Sequence, residues 1–442
     1  MDIETWLYSK SVIEKSKKSY AHFDYRTDIG QQRDYISNPV NIIKHGFYPF
    51  IHYEKHMVKF NRTKGKKPPK IRDICYAAHI DRCIYQYYSF ILNNLYNERL
   101  HRDDLDDVAV AYRTDLGKSN INLAKSAFDT IKVSTCCYVM IGDFTGFFDN
   151  LNHQYLKTQW CSLLGVSELP DDHYKIFKSV TSYSTWELTD LLKINELDNT
   201  SYGRRVLNSK TRVLDTKSFR KNKSYIHKNT NDYGIPQGSP VSAILANIYM
   251  LEIDKKIKEK VDEFGGFYMR YSDDFMIVLP TLTRENAIKE VSHIQELFNS
   301  AAGLTLEPSK TQYFFYDGLK VINCGADFHD SADCSKRFIN FLGFTFDGEK
   351  ITVRAKTTAK YYYRMYRKAK SINKSGGISP NGKHISGRNL YERYSIRGAK
   401  GKKGNYLTYV LRAKKVFGDN EAVDREVKRH MQKIRKALNK RR

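Results

Sequence analysis

The stretch Phe267-Tyr-Met-Arg-Tyr-Ser-Asp-Asp-Phe-Met-Ile-Val-Leu279 has two apolar arms around a polar centre. That pattern predicts a β-hairpin, although the Asp273-Asp274 turn lacks the glycine such turns favour. Upstream, the loop Gly234-Ile-Pro-Gln-Gly-Ser-Pro240 leads into a helix expected from Ser242 to about Val261. Further upstream, the apolar run Cys136–Ile141 suits a buried strand and ends at Gly142-Asp143. Downstream, a helix is expected near Thr283–Ser300 with Gly303 as its C′ residue. Phe341–Phe346 and Lys350–Val353 read as a β-ribbon around Asp347-Gly348. Nearer the N-terminus, apolar residues from Ile80 to Tyr96 fall at helical spacing, and Lys64–Lys70 reads as a basic turn. Strands and helices alternate irregularly, so the fold class is α+β.

Three acids stand out. Asp143 ends a strand, and Asp273 and Asp274 occupy the hairpin turn. Each alone reads as an ordinary turn or cap residue. Together they can converge on a pair of Mg²⁺ ions, hard cations that take oxygen ligands and bind substrate phosphates.

The 442 residues exceed what one core usually supports, so two or three lobes are expected. The formal net charge is +25, and residues 351–442 hold 27 Lys+Arg against 5 Asp+Glu. Such an imbalance costs self-repulsion and calls for a polyanionic partner. Seven scattered cysteines without a CxxC pair indicate neither a disulfide framework nor a zinc site. No stretch approaches 18 consecutive apolar residues, and Met1–Lys10 lacks a charged region followed by an apolar run, so a soluble intracellular protein with no secretory signal and no membrane contact is expected.

Gly142-Asp-Phe-Thr-Gly-Phe-Phe-Asp-Asn150, the Gly234–Pro240 loop and Tyr271-Ser-Asp-Asp-Phe275 resemble the successive palm motifs of reverse transcriptases. The likeness is to the bacterial branch containing group II introns and retrons. Lys70-Ile-Arg72 with Asp81-Arg82, and Ala111–Ser119, resemble the fingers motifs. Gly303–Lys310 and Phe341-Leu-Gly-Phe344 resemble those after the catalytic hairpin. The resemblance spans about residues 45–350. It implies a right-hand polymerase of fingers, palm and thumb, with an antiparallel palm sheet backed by helices. Residues 1–135 would be the N-terminal region and fingers, 136–350 the palm with part of the fingers and a long basic insertion about 168–233, and 351–442 a basic helical thumb.

The resemblance also implies roles. Asp143, Asp273 and Asp274 would be catalytic and hold two Mg²⁺ ions, or Mn²⁺ in their place, with the Phe144 carbonyl as a further ligand. Lys70 and Arg72, read as alternate residues of one strand face, would hold the triphosphate. Phe148 would exclude a ribose 2′-hydroxyl, Gln237 would pack on the incoming nucleotide, and Gly238 would permit close backbone approach. Leu342 and Gly343 would form the primer grip, and Lys310 is expected near the aspartates. The hairpin carries Ser272 where many relatives have Ala. No RNase H-like acidic cluster and no zinc or HNH pattern follows.

In the tail, a basic, tyrosine-rich helix is expected over Tyr361–Ile372, a loop over 374–405, and a last helix with Val423, Val427, His430/Met431, Ile434 and Leu438 on one stripe. Candidate RNA contacts are Tyr362, Arg364, Arg367, Lys400, Lys402, Lys403, Arg412 and Lys414. Cations neutralise phosphates and rings stack on bases, or else the tyrosines form the thumb's own core; a mixture is expected. The segment Lys210–Lys228 either clamps RNA or is a solvated loop.

A compact polymerase of this kind resembles the bacterial defence-associated, unknown-group reverse transcriptases, the class-3 antiviral type among them. The resemblance implies a cytoplasmic enzyme that uses dNTPs to make DNA on a structured noncoding RNA, alone, as a homo-oligomer or beside a second reverse transcriptase subunit. Alternatives are a retron-type enzyme, an RNA-dependent RNA polymerase, which an aromatic ring at Phe148 speaks against, and a non-catalytic maturase-like RNA scaffold.

Overall fold

A computed structural model describes the chain except residues 1, 62–64, 114, 281, 330–333, 376–377, 379–381, 383–386 and 440–442. Its centre is a five-stranded antiparallel sheet in the order Val321–Asn323, Gln312–Tyr316, Cys137–Asp143, Asp274–Pro280, Phe267–Tyr271. Phe275 to Leu279 are all buried, as befits a central strand covered on both faces. One face packs on the helices His79–Arg102, Ser242–Asp262 and Arg284–Asn299. The other packs on the helix Asn120–Val133 and on the thumb.

The α+β right-hand arrangement is thus present, with the palm sheet backed by helices. Its cores cross the expected domain limits. Asn120–Val133, counted with the fingers from sequence, is buried with the palm's second face and with residues 339–434 in one continuous apolar cluster. Its apolar stripe, Ile121, Ala124, Phe128 and Ile131, has nowhere else to be covered.

The fingers side is a four-stranded sheet in the order Asp73–Tyr76, Phe50–Glu54, Ser184–Glu187, Ile226–Lys228. Ser184–Glu187 runs parallel to Phe50–Glu54, so the insertion supplies two strands of this sheet. The segment Lys210–Lys228 is therefore not a solvated loop. It contains the helix Thr216–Lys221, and Leu207, Val213 and Leu214 are buried with Trp186, Phe23 and Leu191.

Other expectations change in detail. Lys64 lies outside the described residues, but Gly65–Lys70 is a strand paired with Met57–Asn61 rather than a turn. Helix Arg284–Asn299 ends at Ser300, so Gly303 is not its C′ residue. Gly303 has φ +76°, and a Cβ there would lie 2.4 Å from the Asn150 carbonyl oxygen, which only glycine tolerates. In the tail, the helix Ala355–Lys374 holds the tyrosines. The described part of 374–405 includes helices Gly387–Tyr394 and Ile396–Ala399, while parts of 376–386 lie outside the described residues. The last helix begins at His430, after a 3₁₀ turn at Arg425–Val427. His430 accepts the Ile396 N–H at Nε2 (3.2 Å) and donates from Nδ1 to the Val427 carbonyl (2.8 Å), closing that joint.

Candidate active site

Antiparallel register brings the acids together. Asp143 is the last residue of its strand and stands directly opposite Asp274, the first residue of the next. One step back, Gly142 faces Phe275, and a Cβ on Gly142 would lie 2.2 Å from the Phe275 ring. Glycine therefore lets that ring cross the strand and seal the floor beneath the carboxylates.

The hairpin closes with Tyr271 paired to Asp274, leaving Ser272 and Asp273 as its two turn residues. Ser272 takes the left-handed φ of +62° that the missing glycine would have supplied. Two bonds hold it there. Arg270 Nη1 donates to the Ser272 carbonyl (3.0 Å), and the Tyr112 and Ser272 hydroxyls bond to one another (2.9 Å).

Burial raises the pKa of Asp143, and the neighbouring Asp273 adds to it against the opposing pull of Lys310. Asp274 is pushed up to about 6, first by burial, then by Asp273 and Asp143. Like charges crowded this way favour a cation between them. Lys310 supplies one, with Nζ 2.7 Å from Asp143 Oδ2, as anticipated. The other oxygen, Asp143 Oδ1, is buried without any hydrogen-bond partner. A buried, unpartnered carboxylate oxygen among like charges fits a divalent cation. Among the described residues no group of three or more His, Cys, Asp and Glu side chains is placed to hold a metal ion. Mg²⁺ keeps several waters and takes substrate phosphates as ligands, so it needs only one or two protein carboxylates. Phe144 bridges Leu306 through bonds between Thr145 N and Thr305 O and between Glu307 N and Asp143 O. These leave the Phe144 carbonyl out of the bridge, while its ring is buried against Phe147, Phe275 and Phe298.

Beside the Gly234–Pro240 loop, Phe148 is half-buried, edge-on to Phe147, and its carbonyl accepts the Ile235 N–H (2.9 Å). Gln237 Nε2 donates to both carboxylate oxygens of Asp149 (3.0 and 3.2 Å), and the Gln237 backbone carbonyl accepts the Cys75 N–H (2.8 Å). Gly238 has φ +114°, and a Cβ there would meet the Cys75 carbonyl oxygen at 2.4 Å. The close approach Gly238 allows is thus to the fingers strand Asp73–Tyr76. Lys70 ends its strand, and Arg72 lies beyond it, exchanging backbone bonds with Lys55 (2.8 and 3.2 Å). Both are exposed, and Arg72 opposite Lys55 continues the register of Lys70 opposite Met57.

Leu342 (φ +44°) and Gly343 (φ +93°) form the tight turn between Ile339–Phe341 and Phe344–Phe346. Asn120 Nδ2 donates to the Leu342 carbonyl (3.0 Å) and to the Tyr409 hydroxyl (3.0 Å), tying this turn to the thumb. A cavity of about 330 Å³ lies between the turn and Asp274, with Arg354 on its wall.

In the thumb, Arg364, Arg367, Lys400, Lys402, Lys403 and Arg412 are exposed. Lys414 is half-buried and pairs with Asp424 (3.2 Å) and Asp419 (3.4 Å). Tyr362 is buried, donates to the Glu426 carbonyl (2.9 Å) and carries Lys433 over its ring. It belongs to the thumb's core and has no face for a base. Tyr363 and Tyr366 stand exposed on the same helix, so the tyrosines are divided between core and surface.

Arg270, Asp254, Asn120, Arg354 and Asp149 were not singled out from sequence. The available signal was charge in apolar places: Arg270 inside a hairpin arm and Asp254 on the apolar stripe of its helix.

Residues 169–346 match the family described as reverse transcriptase (RNA-dependent DNA polymerase). The matched span contains Asp273 and Asp274, and the sheet register adds Asp143 from just upstream. No curated protein matches the chain. Among solved structures, the chain is similar to apo telomerase from Candida tropicalis truncated from its C-terminal domain, at 11% identity and a TM-score of 0.41, covering 74% of this chain and 61% of that one. It is also similar to telomerase from Candida albicans in complex with a fragment of telomeric RNA, at 14% identity and a TM-score of 0.39, covering 92% and 67%. Over residues 169–346, which include the hairpin holding Asp273 and Asp274, the chain is thus similar to the reverse transcriptase family.

Proposed function

We propose that the protein extends a DNA primer on an RNA template. The observation that carries this reading is the cross-strand pair Asp143–Asp274 beside Asp273, with Asp143 Oδ1 buried and unpartnered. These carboxylates, with the Phe144 carbonyl, would hold two Mg²⁺ ions, or Mn²⁺, which supply activation of the primer 3′-hydroxyl and charge stabilisation for departing pyrophosphate.

The chain's own residues do the rest. Lys70 and Arg72 hold the dNTP triphosphate on the exposed edge of the fingers. Phe148 places an aromatic ring where a ribose 2′-hydroxyl would project. Asp149 orients Gln237 at the nucleotide's flank. The Leu342-Gly343 turn, steadied by Asn120, aims the primer end at Asp274. The primer 3′-oxygen then bonds to the α-phosphorus as the bond to pyrophosphate breaks.

The motif resemblance supports a bacterial, cytoplasmic role in antiviral defence, with a structured noncoding RNA as template or scaffold. Primer extension on an RNA template with dNTPs and Mg²⁺ tests the chemistry. Asp273→Asn with Asp274→Asn abolishes extension while RNA binding persists, and extension at the unsubstituted rate overturns the assignment. Sequencing the nucleic acid that copurifies identifies the template, and phage plating with and without the paired substitution tests the defence role.

A further inference from the structure

Residues 201–228 carry nine Lys or Arg and a single acid, Asp215. The helices Ser201–Ser209 and Thr216–Lys221 and the link between them anchor inward: Leu207 of the first and Val213 and Leu214 of the link are buried, and the Phe219 ring of the second lies 5.0 Å from Phe23 and 5.5 Å from Trp186. The cations are left on the outer face. Lys210, Lys217, Arg220, Lys221, Lys223 and Lys228 are all exposed. Among the described residues none of the nine enters an ion pair. Lysines elsewhere do: Lys258 pairs with Asp262, and Lys260 with Glu263 and Glu290. A folded unit that holds this much uncompensated charge at fixed positions is a surface made for a polyanion.

Its location names the polyanion. The strand Ile226–Lys228 continues from these helices into the fingers sheet, and Lys228 lines a cavity of about 500 Å³ shared with Asp149 and Gln237. Exposed Tyr202 lies on the basic unit, and Tyr233 lines the cavity, each offering a ring to an unstacked base. We propose that the face of residues 201–228 carries the single-stranded RNA template, by its phosphates, towards the cavity at Gln237. This rests on the polymerase reading above and adds a binding surface outside the catalytic palm. An acidic protein partner would use the charge but not the continuity with the nucleotide side.

The test compares two RNA–DNA primer duplexes, one with a long single-stranded RNA 5′ overhang and one nearly blunt, by fluorescence anisotropy across a salt series. The unsubstituted protein binds the long overhang more tightly and with the steeper salt dependence. Combined Lys217→Glu, Arg220→Glu, Lys221→Glu and Lys223→Glu removes that difference and lowers the log–log slope by about 3, at roughly 0.7 per phosphate contact. Binding and extension of the nearly blunt duplex stay at the unsubstituted level. Equal losses on both duplexes, or none on either, overturn the proposal. Should the fourfold variant lose its circular dichroism, Arg205→Gln with Lys210→Gln is read instead, with a slope change of about 1. If the unsubstituted protein extends neither duplex, the polymerase reading fails, while overhang-dependent binding still reports on this surface.

Discussion

Arg270 and Asp254 form an ion pair with no solvent exposure, Nη2 to Oδ2 at 2.5 Å and Nε to Oδ1 at 2.8 Å. Tyr268 donates to the same carboxylate (2.7 Å), and Arg270 Nη1 reaches the Ser272 carbonyl. Burial pulls the Arg270 pKa down, but Asp254 more than offsets it, so the guanidinium stays charged. The pair is therefore the buried post on which the Ser272–Asp273 turn stands.

Removing one partner leaves a buried charge alone. Arg270→Met should destabilise the protein by about 3–5 kcal/mol in urea unfolding. Arg270→Met with Asp254→Leu should recover much of that stability yet leave primer extension impaired, because the Ser272 carbonyl still lacks its donor. Full recovery of activity would show that the turn needs no such anchor.

Phe148 is half-buried and edge-on to Phe147, so its ring has a fixed place near Asp149, where the proposed reading sets the incoming nucleotide. Phe148→Ala should lower the preference for dNTPs over NTPs by roughly 10–100-fold, read as the ratio of kcat/KM values. Comparable use of both by the unsubstituted protein would favour an RNA-dependent RNA polymerase.

The His22 ring is fully buried, with Nε2 3.2 Å from the Tyr76 carbonyl and Nδ1 without a partner. Burial lowers its pKa to about 3. The unfolded chain, with an ordinary imidazole pKa near 6.5, takes up the proton first as pH falls. His22 therefore costs nothing above about pH 6.5, and stability drops progressively towards pH 3, by roughly 4 kcal/mol in all. His22→Phe should flatten that part of the profile in urea titrations at successive pH values. An unchanged slope would place the acid sensitivity on other groups, such as His79, His153 and His173, whose pKa values burial also lowers.

The thumb tyrosines separate by exposure. Tyr361→Phe and Tyr362→Phe each lose a bond to a backbone carbonyl, of Tyr394 (2.6 Å) and Glu426 (2.9 Å), and should cost about 1 kcal/mol of stability without altering RNA affinity. Tyr363→Ala and Tyr366→Ala should leave stability within about 0.5 kcal/mol and weaken RNA binding by about 1–3 kcal/mol for each ring that stacks on a base. The reverse pattern would move base contact into the thumb interior.

The three clustered acids were legible because local rules placed them. An apolar run ending at Asp143 and two apolar arms flanking Asp273-Asp274 mark strand ends and a turn, whatever surrounds them. Other features were not legible because they depend on contacts between distant segments. The Lys210–Lys228 segment looked loop-like by its polar composition, yet its few apolar residues find Phe23 and Trp186, and its strand finds the fingers sheet. Tyr362 and Tyr363 are adjacent and chemically alike, and only packing against residues near Glu426 puts one inside and its neighbour outside.

The amino-acid sequence alone determined which groups are available: carboxylates at the ends of apolar strands, an aromatic residue near the first, and an excess of cations towards the C-terminus. Only the tertiary structure decided which groups meet. Antiparallel hydrogen bonding sets Asp143 against Asp274, and a turn far along the chain brings Lys310 to Asp143. The physical reason is that side-chain type and local periodicity are carried by neighbouring residues. Register, burial and the neutralisation of charge arise only when segments remote in the chain exclude water together.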